Sequence, residues 1–389
     1  MKKRIIALIL AVITIVVMTP AVSAATSISL YIDDVKAGAS TTFVAPYVEN
    51  GTTLVPLRMI SETLGADVSW NATQRQATIQ TAAYTVVFTI DSEYYKVNGA
   101  SKSLANPARI KNDRTMVPIR AFAESIGAVV GYDSGTHTAT VSYFTNMTGT
   151  LKLSGSTTVQ PIAQGAADKL MSMNSSLSIT VSGGGSSKGL KDAIEGTVNI
   201  GMSSRELKTA ELETLTPHGI ANDGIAIIVN PENQVTNLTA AQAADIFLGN
   251  ITNWKDVGGA NAPIFVQTRE TGSGTKSTLE ELLLDKQMVV DTASPFASSQ
   301  LIKQAVANEV NSIGFDSIGY VDSTVKVVSL DGVKASSSTV IDKTYGLSRQ
   351  LYCSTQGTAT GLSAVFIDYL KSKDAQDNIV AKEGYIKLS

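Results

Sequence analysis

From Leu151 onward the chain runs an apolar strand into a loop of glycine, serine and threonine four times. Leu151-Lys152-Leu153 leads into Ser154–Thr158, Ser178–Val181 into Ser182–Ser187, Asn199–Met202 into Ser203–Glu206, and Ile264–Val266 into Arg269–Lys276. Helical patterns follow the first, second and fourth loops, with Ile162, Ala166 and Leu170, then Leu190 and Ile194, then Leu279, Leu282 and Leu283 at helical spacing. Strand, polar loop and helix in alternation specify an α/β sheet. In an open sheet of that kind the loops gather at the carboxyl ends of the strands, where ligands bind. The loop Arg269-Glu270-Thr271-Gly272-Ser273-Gly274-Thr275-Lys276 is the most explicit of the four. It aims backbone N–H groups and hydroxyls at one place over the positive end of a helix dipole, with one arginine at the entrance. That is an anion site built mainly from neutral donors. Taken alone, the same eight residues are equally an ordinary glycine-rich turn.

Charge and special residues narrow the function classes. A formal net charge of −3 with no basic stripe excludes a nucleic-acid binder. The single cysteine, Cys353, allows neither a disulfide framework nor a thiolate metal site. The N-terminus reads as an export leader over residues 1–24. Lys2, Lys3 and Arg4 precede an apolar run from Ile5 to Val17, and Val22-Ser23-Ala24 offers the small-residue cleavage pattern. No cysteine follows the leader, so the expectation is a protein that is secreted or held at the cell envelope and is not a lipoprotein.

Residues 25–146 repeat themselves. Leu54-Val55-Pro56-Leu57-Arg58 leads to Gly65-Ala66, and Met116-Val117-Pro118-Ile119-Arg120 leads to Gly127-Ala128, with an offset of 62 positions. Each copy reads as a proline at a helix start, a short amphipathic helix, a glycine stop and two strands across a turn. The stretch resembles the N-terminal domain of copper amine oxidases, which implies a spacer or envelope-attachment module, here a small α+β stalk. It implies no copper, because no ligand cluster is present. Arg58 and Arg120 either bind a cell-wall polymer or pair with Glu62 and Glu124 one helical turn on, and the pairing is the simpler expectation.

Thr145–Thr150 reads as a linker, and residues 151–389 as one larger unit. Catalysis finds no support there. Neither loop with a nearby lysine, Lys188 or Lys276, places glycine directly before it, so the nucleotide-binding loop is absent. No nucleophile elbow occurs. His218, in Thr216-Pro217-His218-Gly219, is expected on a surface turn. No catalytic residue, metal or cofactor is expected.

Six motifs then occur in a fixed order: Gly155–Pro161, Gly183–Gly189, Ile200–Leu207, Asp223–Ala226, Ile246–Gly249 with Thr252-Asn253-Trp254, and Arg269–Thr275. In this order they resemble the phosphate-binding proteins of phosphate ABC transporters. The resemblance implies a two-lobed periplasmic-binding-protein fold of type II. The chain would cross between lobes at Asp223-Gly224-Ile225 and again within Ile313–Val321. It implies ligand contacts from Thr157, Thr158, Ser186, Ser204, Arg269, Ser273, Gly274 and Thr275, with Ser156, Ser187, Arg205, Glu206 and Glu270 as further candidates. The implied partners are inorganic phosphate and a membrane permease.

Two positions depart from that family. Ser204 stands where many members carry an aspartate that accepts the proton of hydrogen phosphate and so rejects sulfate. Thr271 stands where a second aspartate often braces the loop arginine. One lost acceptor is worth ~1–3 kcal/mol. The expectation is that Ser204 itself, Glu206 or Glu270 preserves phosphate selectivity. An envelope oxyanion scavenger or sensor without a transporter, or a binder of another oxyanion such as sulfate, stays open from sequence.

Overall fold

The computed structural model describes residues 28–37 and 44–388, so the leader expected at residues 1–24 lies outside it. The repeat is realised as read. In the first copy the strand Thr52–Pro56 enters the helix Leu57–Thr63, Gly65 stops it at φ 76°, and the strands Asp67–Asn71 and Gln76–Gln80 follow. In the second, Arg114–Pro118 enters Ile119–Ser125, Gly127 stops it at φ 85°, and Val129–Asp133 and Thr138–Ser142 follow. Proline is the N-cap in both copies, where its fixed φ suits the turn into a helix and its missing N–H costs nothing. The copies meet antiparallel, with Val55 opposite Val117 and Pro56 opposite Met116. Leu57 and Ile60, then Ile119 and Phe122, bury the inner helix faces. Arg58 and Arg120 pair with Glu62 and Glu124 at 3.5 and 3.6 Å on the open faces.

Two lobes follow, joined through one long strand. In the first lobe the sheet order is Leu177–Gly184, Gly149–Gly155, Ile200–Ser203, Ser348–Gln356, Leu215–Val229. The strand Leu215–Val229 pairs with Ser348–Gln356 as far as Gly224 and with Ser312–Ser317 from Ile225 onward. It therefore leaves one sheet and enters the other at Asp223-Gly224-Ile225, where the crossing was expected. The return does not lie in Ile313–Val321. Those residues stay beside Ile225–Val229 in the second lobe, and the chain comes back at Leu347–Arg349. An apolar strand after a helix looks alike whether it crosses or not; only its pairing partner decides.

His218 also departs from expectation. Thr216-Pro217-His218-Gly219 is extended and paired residue for residue with Thr355–Tyr352. The continuous partner strand overrides the local turn signal. His218 is half-buried, its ring nitrogen 3.4 Å from Thr355 Oγ1, and burial depresses its pKa to about 4.

One apolar cluster runs without a break from the repeat unit into the first lobe, and a second fills the second lobe around Phe247, Trp254 and Phe315. The short link between repeat and lobe is tied down. Phe144–Asn146 forms one tight turn, Asn174 donates to the Thr145 and Met147 carbonyls, and Phe144 meets Tyr369 edge-on at 5.1 Å. Asp368 on the helix Gly361–Lys371 is fully buried at this junction. Its carboxylate accepts from the Ala82 N–H at 2.8 Å and the Tyr143 hydroxyl at 2.7 Å. The glycine stop of the first copy packs directly on this helix: a Cβ on Gly65 would stand 1.7 Å from the Asp368 carbonyl oxygen, whereas one on Gly127 would meet nothing within 4 Å.

The two glycines share a backbone conformation and differ only in what they face. Gly127→Ala should lower stability by about 1 kcal/mol, the cost of a left-handed alanine. Gly65→Ala should lower it by roughly 1–3 kcal/mol more, through overpacking of the junction. Urea titration of the two variants checks this, and equal losses would show that the junction yields freely.

Candidate functional site

Three helices point their N-termini at one place from two lobes. Gln160–Met173 and Ser186–Ile194 belong to the first, and Gly274–Leu282 to the second. The opening N–H groups of a helix have no partner within it. One is taken by a cap, the Lys276 N–H donating to Ser273 Oγ, and just ahead of the helix Gln160–Met173 the Thr158 N–H donates to Ser156 Oγ. The Ser187 N–H crosses between lobes to the Gly272 carbonyl at 3.0 Å. The N–H groups of Ser186, Gly274 and Thr275 stand in first turns, where helix dipoles favour an anion.

Hydroxyls fill in the same place. Thr158 Oγ1 lies 3.1 Å from Thr275 Oγ1 across the lobes. Ser186 Oγ accepts from the Ser204 N–H at 3.1 Å and lies 3.4 Å from Ser204 Oγ. Ser156, Thr157, Thr158, Ser186, Ser204, Ser273 and Thr275 are all buried. Gly274 is packed so closely that a Cβ there would come within 2.3 Å of Ser186 Oγ and 2.7 Å of Ser204 Oγ. The lobes are thus shut on each other, and the eight residues first in line from the sequence are brought together.

Arg269 ends the strand Phe265–Arg269 and is 2% exposed. It donates to the Phe296 carbonyl (3.1 Å), Ser299 Oγ (3.1 Å), Thr157 Oγ1 (3.0 Å) and the Ala297 carbonyl (3.1 Å). All four acceptors are neutral. Burial works against the cation and lowers its pKa, yet a guanidinium stays charged. The site therefore holds one positive charge with no carboxylate bonded to it.

The further candidates separate. Ser156 caps its own loop. Ser187 receives a bond from Arg205 at 3.3 Å. Arg205 is buried and held by both oxygens of Glu211 at 2.8 Å, so its charge is cancelled in place. Glu206 and Glu270 are exposed, and Glu206 accepts from the Tyr352 hydroxyl at 2.6 Å. Neither glutamate joins the cluster, so the carboxylates expected to preserve selectivity lie outside it; Ser204 lies inside.

Sequence reading missed the crossover pair. Arg349 donates to Asp223 Oδ2 from Nε and Nη2 at 3.0 and 2.7 Å, and from Nη1 to the Ser204 carbonyl at 3.0 Å. Asp223 also accepts from Ser317 Oγ at 2.6 Å. Burial raises the Asp223 pKa while Arg349 and Ser317 pull it back. Asp316 and Ser299, beside Arg269, were missed as well. Separately, an open groove of about 1150 Å³ in the repeat unit is lined by Arg58, Trp70, Ile110 and Arg114, among others. Among the described residues no group of His, Cys, Asp and Glu has the makings of a metal site.

The profile of the PBP superfamily domain matches residues 135–374, and that of the copper amine oxidase N-terminal domain matches residues 34–141. Among curated proteins, the chain is similar to the phosphate-binding protein PstS of Bacillus subtilis, 36% identical over 245 residues, covering 62% of this chain and 81% of that protein. The PstS of Borreliella burgdorferi is 28% identical over 251 residues, covering 61% and 90%. Among solved structures, a putative phosphate ABC transporter substrate-binding protein with bound phosphate from Clostridium perfringens superposes with a TM-score of 0.59 at 38% identity, over 62% of this chain and all of that one. An ABC-type phosphate transport receptor from Vibrio cholerae gives 0.54 at 36% identity, over 61% of this chain.

Removing one member of a buried pair strands the other's charge. Arg349→Ala should therefore cost about 3–5 kcal/mol, because Asp223 loses the cation that offsets its burial and must stay charged unpaired or take up a proton. Arg58→Ala, which breaks an exposed pair, should cost about 0–1 kcal/mol. Chemical denaturation of both variants decides it: a small loss for Arg349→Ala would mean that the Asp223 site admits water.

Proposed function

The chain belongs to the PBP superfamily, and from that premise we propose that it captures inorganic phosphate outside the cytoplasmic membrane and hands it to an ABC-transporter permease. The observation that carries this reading is the meeting of donors from both lobes. The N–H groups of Ser186, Gly274 and Thr275, the hydroxyls of Thr158, Ser186, Ser204, Ser273 and Thr275, and the Arg269 guanidinium converge where a tetrahedral anion has its oxygens. Relatives named for phosphate binding and a similar structure with bound phosphate support the choice of anion.

Capture follows from closure about the crossover. In the open form each donor is hydrated. Shutting the lobes strips that water, and hydrogen bonds to the anion strengthen in the lower dielectric. Hydrogen phosphate brings one proton that needs an acceptor, and the Ser204 oxygen is the one in the cluster at the position in question. A hydroxyl can accept that proton but can also turn and donate to sulfate, so phosphate should be preferred over sulfate by about tenfold or less, the worth of one neutral hydrogen bond. The hydroxyls bond to each other and to backbone groups, so the site binds without reaction. Among the described residues no helix is long and apolar enough to cross a membrane. The repeat unit, fixed to the first lobe, serves as the attachment to the envelope and leaves the second lobe to move. Its groove with Trp70 and Arg58 is the surface that would meet a cell-wall polymer.

Gly274→Ala separates binding from folding. Alanine is the better helix former, and the φ of Gly274 is ordinary, so the fold should keep its stability. The added methyl meets Ser186 and Ser204 across the lobes and blocks closure. Phosphate affinity should fall by roughly a hundredfold or more, the loss of two hydrogen bonds. Titration calorimetry with phosphate and with sulfate on wild type and variant is the test. Unchanged affinity in Gly274→Ala would refute the location of the site, and equal affinities for the two anions in wild type would refute the selectivity.

A further inference from the structure

Asp316 is the carboxylate that the binding reading does not use. It sits on the strand Ser312–Ser317, paired opposite Ala226, and is 1% exposed. Its Oδ1 accepts from the Ser317 N–H at 2.8 Å. Its Oδ2 is buried and makes no hydrogen bond, although the Ser299 hydroxyl lies near enough to the carboxyl to favour its charge. Leaving a buried oxygen unpaired costs about 1–3 kcal/mol, and more when it carries charge.

What surrounds it explains why it is there. Arg269 comes from the neighbouring strand and Ser299 from the helix Ser299–Asn308 packed on it; both act on the Asp316 carboxyl. Ser299 Oγ is also the acceptor for Arg269 Nη1, so the serine stands between the two charges. Arg349 faces Asp316 from the returning strand, but its charge is spent on Asp223. The Tyr320 and Tyr385 hydroxyls feel the Asp316 charge from the other side and donate to the Thr157 and Thr158 carbonyls. Lys303, on the same helix as Ser299, is turned away to Asp322. The crossover thus contains two cations and two carboxylates. Asp223 and Arg349 cancel by direct contact; Asp316 and Arg269 lie on neighbouring strands with no hydrogen bond between them, one with an oxygen left unbonded and the other with only neutral acceptors.

We propose that Asp316 is a proton-coupled counter-ion of Arg269: it carries the charge that balances the guanidinium before capture and takes up a proton when the anion arrives. The argument is electrostatic and rests on the phosphate reading of the same site. An anion at Arg269 puts two negative groups beside one cation. The one with an oxygen left without a hydrogen bond gives up its charge at least cost, and that is Asp316. Burial has already pushed its pKa up to about 7, against the pull of Arg269, Ser299 and the Ser317 N–H, so a further rise on binding crosses the neutral range. By linkage, uptake of a proton on binding means that affinity falls as pH rises above that value. Asp316 acts through Arg269 and is a positioning residue.

The test counts protons. Phosphate is titrated into wild type and Asp316→Asn at mildly alkaline pH, in buffers of different ionisation enthalpy. Any proton exchanged by phosphate itself is common to both proteins, so the difference isolates the aspartate. Wild type should take up more protons per phosphate than Asp316→Asn, by up to about one, and the variant's affinity should fall less steeply with pH. Phosphate heat in both with equal proton counts would overturn this inference alone. No phosphate heat in either would overturn the reading of the site, and the inference with it. Should Asp316→Asn not fold, infrared difference spectra of the wild type decide: a protonated carboxyl band must grow on phosphate addition, and its absence refutes the proposal. Asp368, whose pKa burial likewise raises to about 7, lies at the junction with the repeat unit and not at the anion site.

Discussion

A guanidinium held in a dry place by neutral acceptors is the constraint from which the binding domain takes its sense. Three arginine side chains are almost wholly buried around the lobe interface. Arg205 is neutralised by Glu211 and Arg349 by Asp223, each through two short contacts. Arg269 alone of these three spends its N–H groups on two carbonyls and two hydroxyls. Those bonds fix the plane of the side chain without cancelling its charge. A cation so placed stays available to an incoming anion, whereas one bonded to a carboxylate would have to exchange partners. Keeping it available has an electrostatic consequence, because an uncompensated buried charge is expensive. The poorly satisfied Asp316 on the neighbouring strand is the proposed complement to that arrangement.

The remaining donors are neutral, and this suits a site that must both hold and release. Amide and hydroxyl groups gain strength when water is excluded and lose it when water returns. A cage of ion pairs would hold an anion in the open form too. Here the proposed donors are divided between lobes, so an anion held by them would be fully coordinated only when the lobes meet. The strand Leu215–Val229 makes that division possible, since one half pairs in each sheet. The buried pair Asp223–Arg349 sits where the strand changes sheets, and Arg349 reaches on to the Ser204 carbonyl. Crossover and binding loop are therefore joined by a single side chain.

What the sequence reveals and what it hides divide along sequence separation. Loops after strands, helix starts and the repeat are local patterns, and they fold as read: Pro56 and Pro118 open helices, Gly65 and Gly127 close them, and the four polar loops converge. Partners far apart in the chain leave no local trace. Arg349 is 126 residues from Asp223, and nothing in Ser348-Arg349-Gln350 distinguishes it from an exposed arginine on a strand. Asp316 lies within Gly314-Phe315-Asp316-Ser317, where an acid among apolar residues could face water as readily as an arginine. His218 shows the opposite failure: a proline–glycine neighbourhood signals a turn, but a partner strand running the whole length holds it straight. Glu206 and Glu270 sit close in sequence to Ser204 and Arg269, yet each lies just past the end of its strand, where the chain turns out to solvent after a run of buried residues. Closeness in sequence does not decide which way a loop side chain faces.

The repeat unit makes a related point about symmetry. Its two copies share fold, caps and ion pairs, and their inner strands pair about a local two-fold at Val55 and Val117. Symmetric copies present two equivalent faces, but the first lobe occupies one. Gly65 lies against the helix Gly361–Lys371, with Asp67 bonded to Lys371 at 2.6 Å, while Gly127 faces open space. The difference is carried by the partner side, where Asp368 offers a buried carboxylate to Ala82 and Tyr143. A spacer hung on a loose linker would need no such contact. The continuous core and the tied Phe144–Asn146 turn instead make repeat unit and first lobe one body, joined to the second lobe at Asp223–Ile225 and Leu347–Arg349. The repeat unit and the second lobe therefore lie on opposite sides of the same crossover.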